Sequence, residues 1–299
     1  MWFLYAMATT LAWGGADLFY KKGTDSKDKY SHIKIAIIVG LVMGVHATIY
    51  LLVKGLTIDP MDMIKYLPVS GLYILSMVIG YVGLRYLDLS ISSPVQNASG
   101  VVVTILCVIF FRSPVSTLEI ISIVLITAGV IGIAVLDKGR VNLKIGGPDR
   151  KYTISFFAII FPLLYCLLDG LGTFADAIYL DELELIGEDA ALIAYEYTFF
   201  IVAVVLWIFL AIKKVPFKIY KEKDKGLAAV LETAGQFFYV FAMAANAVIA
   251  APLIAAYSVF SVIFSRLFLK EKLKWSQYIV IAVVLAGITL MGVAEGLSE

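Results

Sequence analysis

The chain has 299 residues, 61% of them hydrophobic and 16% charged, with a formal net charge of +1 at neutral pH and a mean hydropathy of +0.93. A soluble domain is about 45–50% apolar, so this composition excludes an ordinary soluble enzyme or nucleic-acid-binding domain and describes a protein built for lipid. The near-zero charge names no partner, because in a membrane protein the side on which each charge sits matters more than the sum.

A bilayer core of about 30 Å takes roughly 20 apolar residues as helix, and lipid offers no water to satisfy backbone groups left outside one. Ten spans are predicted on that basis, at 2–21, 33–53, 66–86, 90–111, 117–136, 153–178, 190–212, 226–245, 248–268 and 275–293, giving an all-α integral membrane protein. The first has no basic stretch before it and no small-residue cleavage pattern after it, so it reads as a retained helix and not a signal peptide. The separators are a lysine-rich link at 21–34, Pro60, a Ser113–Pro114 turn, a Gly146-Gly147-Pro148 linker, an acidic loop at 181–189 and a basic loop around Pro216. Cys107 and Cys166 lie inside apolar runs, so no disulfide framework, metal site or cofactor is expected.

Lysine and arginine are retained on the cytoplasmic side. Loops after odd-numbered spans hold 21 of the 24 basic residues, leaving Lys54, Lys65 and Arg112 for the other face. Both termini are therefore expected outside the cytoplasm of a plasma membrane, together with Asp181, Glu182, Glu184, Glu188 and Asp189.

Ser90–Ala134 recurs as Val248–Gly292, shifted by 158 positions without a gap. The ten identities in these 45 positions include Pro94 with Pro252 and the pair Ala128-Gly129 with Ala286-Gly287. One module is used twice, as residues 1–144 and 145–299. Five spans per copy is an odd number, so the second copy enters the membrane from the opposite side. Such inverted repeats are a common design of secondary transporters, with the site near the midplane and each half able to adopt the other's conformation.

Ala12-Trp13-Gly14 in the first span, Ser92-Ser93-Pro94 and Ala250-Ala251-Pro252 opening the fourth and ninth, and the stretch from Arg266 through Glu271 to Gln277 followed by Ala286-Gly287 carry a family likeness. The chain resembles the drug/metabolite transporter superfamily and, within it, the ten-span group built from two EamA-type repeats. The resemblance covers essentially the whole chain and implies secondary transport. It names no substrate, since members resemble transporters of amino acids, amines, nucleotide sugars, vitamins and drugs alike. The first copy departs from the pattern, carrying Arg112-Ser113-Pro114 where the second has its glutamate-containing loop.

An ionisable group at the bilayer centre costs from about 2.5–3.5 kcal/mol upward, and such groups usually mark a pathway. Asp17 and Asp169 occupy corresponding places in the first helix of each repeat, and Trp13 and Tyr165 each stand one turn before them on the same face. Glu232, Gln236 and Tyr239 form a polar stripe along the eighth span, and Glu196 lies between Tyr195 and Tyr197. Asn97 and Gln96 in the fourth span, and Tyr257, Ser258 and Ser261 in the ninth, are expected to line a cavity. His46 fits a proton relay or a packing histidine. The plainer alternatives are that Asp17 faces headgroups and that Glu196 and Glu232 snorkel to an interface. Glu119, Asp176, Arg85 and Arg112 are expected to be interfacial anchors or orientation signals, Trp207 and Trp275 an interface belt, and Glu271 a cap of its own turn. No phosphate-binding loop, His-rich metal spacing or ATP-hydrolysing domain occurs, so no catalytic residue is assigned and an enzyme is not expected.

Four carboxylates beside aromatic rings, with no deeply placed lysine or arginine, favour a cationic ligand. Ring faces add about 0.5–2 kcal/mol each, and the same acids can carry protons. The expected function is secondary transport of a small polar metabolite, amine-containing or cationic, with proton coupling as a second use of the acids. The alternatives are a proton-coupled amino-acid or neutral-metabolite exporter, whose acids serve coupling only, and a non-transporting membrane scaffold. The expected partners are a small-molecule substrate, membrane lipid and protons, with no nucleic acid. Ten spans can enclose a cavity as a monomer, and a homodimer is equally compatible.

Overall fold

The computed structural model describes residues 1–25, 27–57, 59–111, 115–143, 158 and 160–298, and these contain helices and no strand. Arg112 with the Ser113–Pro114 turn, the Gly146-Gly147-Pro148 linker, Lys144, Arg150, Lys151 and most of the first turn of the expected sixth span lie outside the described residues. In chain order the helices are α1 (Trp2–Gly23), α2 (Ser31–Lys54), α3 (Pro60–Gly83), α4 (Leu89–Asn97), α5 (Ser99–Phe110), α6 (Thr117–Leu143), α7 (Ile160–Ala177), α8 (Glu188–Ile212), α9 (Lys223–Ala255), α10 (Tyr257–Phe268) and α11 (Trp275–Ser298). A π-helical turn, Ile178–Glu182, extends α7.

Local chemistry fixes several ends. Asp59 accepts the Met61 N–H at 2.8 Å and Pro60 occupies the first turn of α3, where its missing N–H costs nothing. α2 stops at Gly55, whose φ of 66° lies in the left-handed region that favours glycine. Ser116 and Glu119 cap each other at the start of α6, so Glu119 has a helix-capping role.

Six helical stretches among the described residues are long and apolar enough to cross a membrane, and Thr117–Gly132 is a shorter apolar helix. The expected count of ten is not confirmed: the fourth span is divided into the short helices α4 and α5, the fifth is represented by the shorter Thr117–Gly132, and two further differences concern α1 and the joined eighth and ninth spans. α1 has the length, at 22 residues, but its Thr9, Thr10, Trp13, Asp17 and Tyr20 dilute its hydropathy because they face protein and not lipid. The expected eighth and ninth spans are joined through α9 and α10 in one 46-residue stretch, Lys223–Phe268. α9 is interrupted at Asn246, where φ is −169° and ψ 87°. Asp181 accepts the Ala247 N–H beyond this kink at 2.9 Å.

The 158-residue register reappears in the folded chain. The expected fourth span breaks at Ala98 and the ninth at Ala256, positions 158 apart, each a turn residue with ψ near zero (−12° and −5°). Packing is reciprocal as well: α1 lies on α9 as α7 lies on α3, α3 meets α8 as α9 meets α2, and α1 meets α10 as α7 meets α5. α2 pairs with α8, and α6 with α11. At the last pair a Cβ on Gly129 would lie 2.1 Å from Val284, and one on Gly287 would lie 2.9 Å from Ile126. Val284 and Ile126 are themselves 158 apart, so the Ala-Gly steps singled out by the repeat let these helices touch across a local two-fold exchange.

One end of the bundle gathers the loops after α1, α3 and α10. Lys21 donates to the carbonyls of Leu84, at 2.9 Å, and Leu87, and Arg85 donates to Lys29 O at 3.2 Å. Glu271 accepts the N–H groups of Leu89 and Ser90 at 3.2 and 3.0 Å. It caps the start of α4, in the other half of the chain, and not its own turn.

Candidate functional site

Eight helices border a central cleft, and the polar face of each supplies its lining. α1 contributes Trp13, Asp17 and Tyr20; α7 contributes Tyr165, Asp169 and Thr173; α9 contributes Glu232, Gln236 and Tyr239. The broken helices bring Gln96, Asn97 and Ser99 from one side and Tyr257 from the other, α3 adds Tyr73, Met77 and Tyr81, and α8 adds Tyr195. The cleft holds about 820 Å³ of space between atoms, part of it open to solvent.

Asp17 is buried, and does not face headgroups. Ser93 of α4 donates to it at 2.5 Å and Ser261 of α10 at 2.7 Å, so one carboxylate ties together helices of both halves. Asp169 accepts from Ser99 Oγ at 2.7 Å. Ser99 opens α5, so this carboxylate stands at a helix N-terminus, where an anion is favoured by about 0.3–1 kcal/mol. Glu232 is 8% exposed and receives one hydroxyl, from Tyr20, at 3.3 Å. Asn97 donates to Ser93 O at 2.9 Å. The Nε2 of Gln236 is buried without a hydrogen-bond partner among the described residues.

The aromatic side chains are seated on glycines. Trp13 donates through Nε1 to Glu232 O at 3.2 Å, and its ring fills the space that a Cβ on Gly235 would occupy. Tyr165 stands against Gly80 of α3 in the same manner. Trp13 also lies 5.1 Å from the Tyr239 ring and 5.7 Å from Tyr257, centroid to centroid. Carboxylates ringed by aromatic faces, with no lysine, arginine or histidine in the lining among the described residues, can hold an organic cation by charge and by cation–π contact.

Trp13, Asp17, Asn97, Tyr165, Asp169, Glu232, Gln236, Tyr239 and Tyr257 are thus brought together, whereas Glu196 and His46 are not part of the lining. Those two meet each other between α8 and α2. Glu196 is fully buried, and both its oxygens lie 2.8 Å from His46 Nδ1. His46 in turn rests on Phe237 and Tyr50, and Tyr50 donates to Asp189 at 2.5 Å. Asp176, expected to be an interfacial anchor, is 0% exposed and accepts from Tyr66.

Sequence reasoning missed the whole contribution of α3. Its signal was present: Tyr66, Ser70, Tyr73, Met77 and Tyr81 recur at steps of four, three, four and four, one face of a helix.

A family model described as "EamA-like transporter family" matches residues 1–135 and 157–293. No curated protein matches the chain. Among solved structures 28 chains match; one, titled "Crystal structure of protein", is 11% identical over 99% of this chain and 98% of its own, with a TM-score of 0.66, a likeness of fold.

Proposed function

The chain belongs to the EamA-like transporter family and is accordingly a multi-pass membrane transporter, and from that premise we propose that it carries a small organic cation, an amine favoured, through the central cleft. One observation carries this reading: Asp17, Asp169 and Glu232 open on one cleft whose other polar groups are hydroxyls, amides and aromatic rings. A cation entering there meets carboxylates that no side-chain cation answers, and the desolvation of its charge is offset by them.

The two halves, residues 1–144 and 145–299, act as inverted repeats that rock about the cleft and expose it to each side in turn. The reciprocal helix packing, the matched breaks at Ala98 and Ala256 and the exchanged contacts of Gly129 and Gly287 support this. The membrane is the plasma membrane, and the lysine-rich end holding Lys21, Lys29 and Arg85 faces the cytoplasm. Protons use the same carboxylates, so that cation and proton compete for them.

A zwitterionic amino acid is the second reading. It is favoured by Gln236, whose unpartnered amide N–H group offers a donor to a carboxylate. Thermal stabilisation and proton release, measured on the purified protein with amines, amino acids and neutral metabolites, separate the readings. Amines that stabilise wild type and release protons, with both effects lost in Asp169→Asn and Glu232→Gln, support the cation carrier. Stabilisation by zwitterions alone, retained in both variants, overturns it.

A further inference from the structure

Asp176 of α7 is a wholly buried acid that no cation among the described residues answers. Tyr66 of α3 donates to its Oδ1, while Oδ2 has no hydrogen-bond partner among the described residues. The groups facing the carboxyl are hydroxyls: Tyr66 and Tyr73 from α3 and Tyr239 from α9, with Tyr195 of α8 beside Tyr66. α4 contains no ionisable residue, and α5 contains only Cys107. Asp169 lies two turns earlier on α7 itself, and Asp181 and Glu182 follow in the π-helical turn.

Burying an unpaired carboxylate costs far more than burying the neutral acid. Hydroxyl groups stand between this acid and the cleft. The Tyr73 and Tyr239 hydroxyls lie 2.7 Å apart, Tyr73 donates to Thr173 Oγ1 at 2.9 Å, and all three residues line the cleft.

We propose that Asp176 is a proton-carrying site, occupied by a proton in the arrangement seen and connected to the cleft by the Tyr73–Tyr239 hydroxyl pair. The step is a relay without electron transfer. The Asp176 O–H bond breaks as one tyrosine hydroxyl accepts that proton, this hydroxyl passes its own proton to the other, and water in the cleft takes up the last one. Reprotonation reverses each transfer. The proposal rests on the reading of the cleft as the transport path: a cation bound near Asp169 repels the proton, so arrival of the ligand and departure of the proton are linked reciprocally.

Infrared spectroscopy of the full chain in lipid tests this through the carbonyl band of a protonated carboxyl group. A band present at neutral pH, absent in Asp176→Asn, lost reversibly at alkaline pH, and exchanging with deuterium more slowly in Tyr73→Phe and Tyr239→Phe is the expected result. If the band never titrates, Asp176 is a permanent hydrogen-bond donor and the proposal is overturned, as it is if no band depends on Asp176. Exchange at an unchanged rate in both tyrosine variants overturns the relay. Should Asp176→Asn not fold, Asp176→Glu serves instead, and the band is expected to move with the longer acid. Stabilisation of wild type by benzyltrimethylammonium, scored on the same samples, tests the cleft reading separately from the band.

Discussion

Glu196 and Glu232 are two buried glutamates on successive helices of the second half, and their surroundings differ in kind. Glu196 is closed on both oxygens by His46, in a packed seam between α2 and α8. Glu232 has one long hydroxyl contact and opens on a cleft that already holds Asp17 and Asp169. Burial alone therefore does not mark a binding acid. The distinguishing feature is whether the chain itself places a basic side chain against the acid, as at Glu196, or only a hydroxyl, as at Glu232, and the proposed binding role of Glu232 rests on that difference.

Neutralising the cleft acids gives the largest expected effect. Removing one partner of a buried charge pair costs about 2–5 kcal/mol of binding, so Glu232→Gln and Asp169→Asn are each expected to weaken cation affinity by about 30-fold or more. The unliganded protein is expected to unfold within about 1 kcal/mol of wild type, because no internal partner loses its charge. Calorimetric titration and detergent unfolding read the two quantities, and a variant that binds normally while unfolding early would reverse the assignment of Glu232.

The seam is expected to behave in the opposite way. His46→Ala strands a buried carboxylate and is expected to lower stability by about 3 kcal/mol with cation affinity unchanged. Adding Glu196→Gln to it should restore most of that loss, a coupling that a double-mutant cycle measures directly. Additive losses would mean that the two residues do not act as a pair.

A smaller effect is expected at Tyr20→Phe, which removes the single hydroxyl bond to Glu232. About 1 kcal/mol is at stake there, read as a shift in the pH dependence of ligand binding and not as loss of fold.

Asp28, in the link before α2, supplies the partly exposed end of the comparison. Burial pushes its carboxyl up, but hydrogen bonds from Lys34 Nζ at 2.7 Å and from the Tyr30 N–H, with the charges of Lys34 and Lys225, outweigh it and hold the group below the ordinary range. A carboxyl lowered in the folded state stabilises above its unfolded value, near 3.9, and that contribution fades as pH falls through the folded value. Asp28→Asn is expected to cost at most about 1 kcal/mol at neutral pH, less in high salt, and nothing in strong acid; a loss that persists in strong acid would contradict the ion pair.

Much of this architecture was legible in the sequence because it is periodic. The register of 158 matches Gly129 with Gly287, the glycines at which α6 and α11 touch, and spacing along a helix placed Trp13 with Asp17, Tyr165 with Asp169, and Glu232 with Gln236 and Tyr239; the breaks at Ala98 and Ala256 obey the same register but fall inside spans expected to be continuous. The pairing of Glu196 with His46 spans 150 positions and leaves no local trace. Asp176 was misjudged because distance from a helix end does not reveal which face a residue presents. The tyrosine stripe of α3 escaped notice because the expected third span contains no carboxylate to mark it, although Tyr73 and Tyr81 line the cleft. The count of ten spans is not confirmed by length and hydropathy among the described residues, in part because the protein-facing residues of α1 lower its hydropathy.

The most direct measurement compares two permanent ions built on the same ring, benzyltrimethylammonium and benzoate, by thermal unfolding of the purified protein. A saturable rise in Tm with the cation, none with the anion, and loss of the rise when Asp17, Asp169 and Glu232 are neutralised together is the predicted result. Equal or greater stabilisation by benzoate, or a cation effect that survives the triple substitution, would contradict a cleft whose acids await a cation.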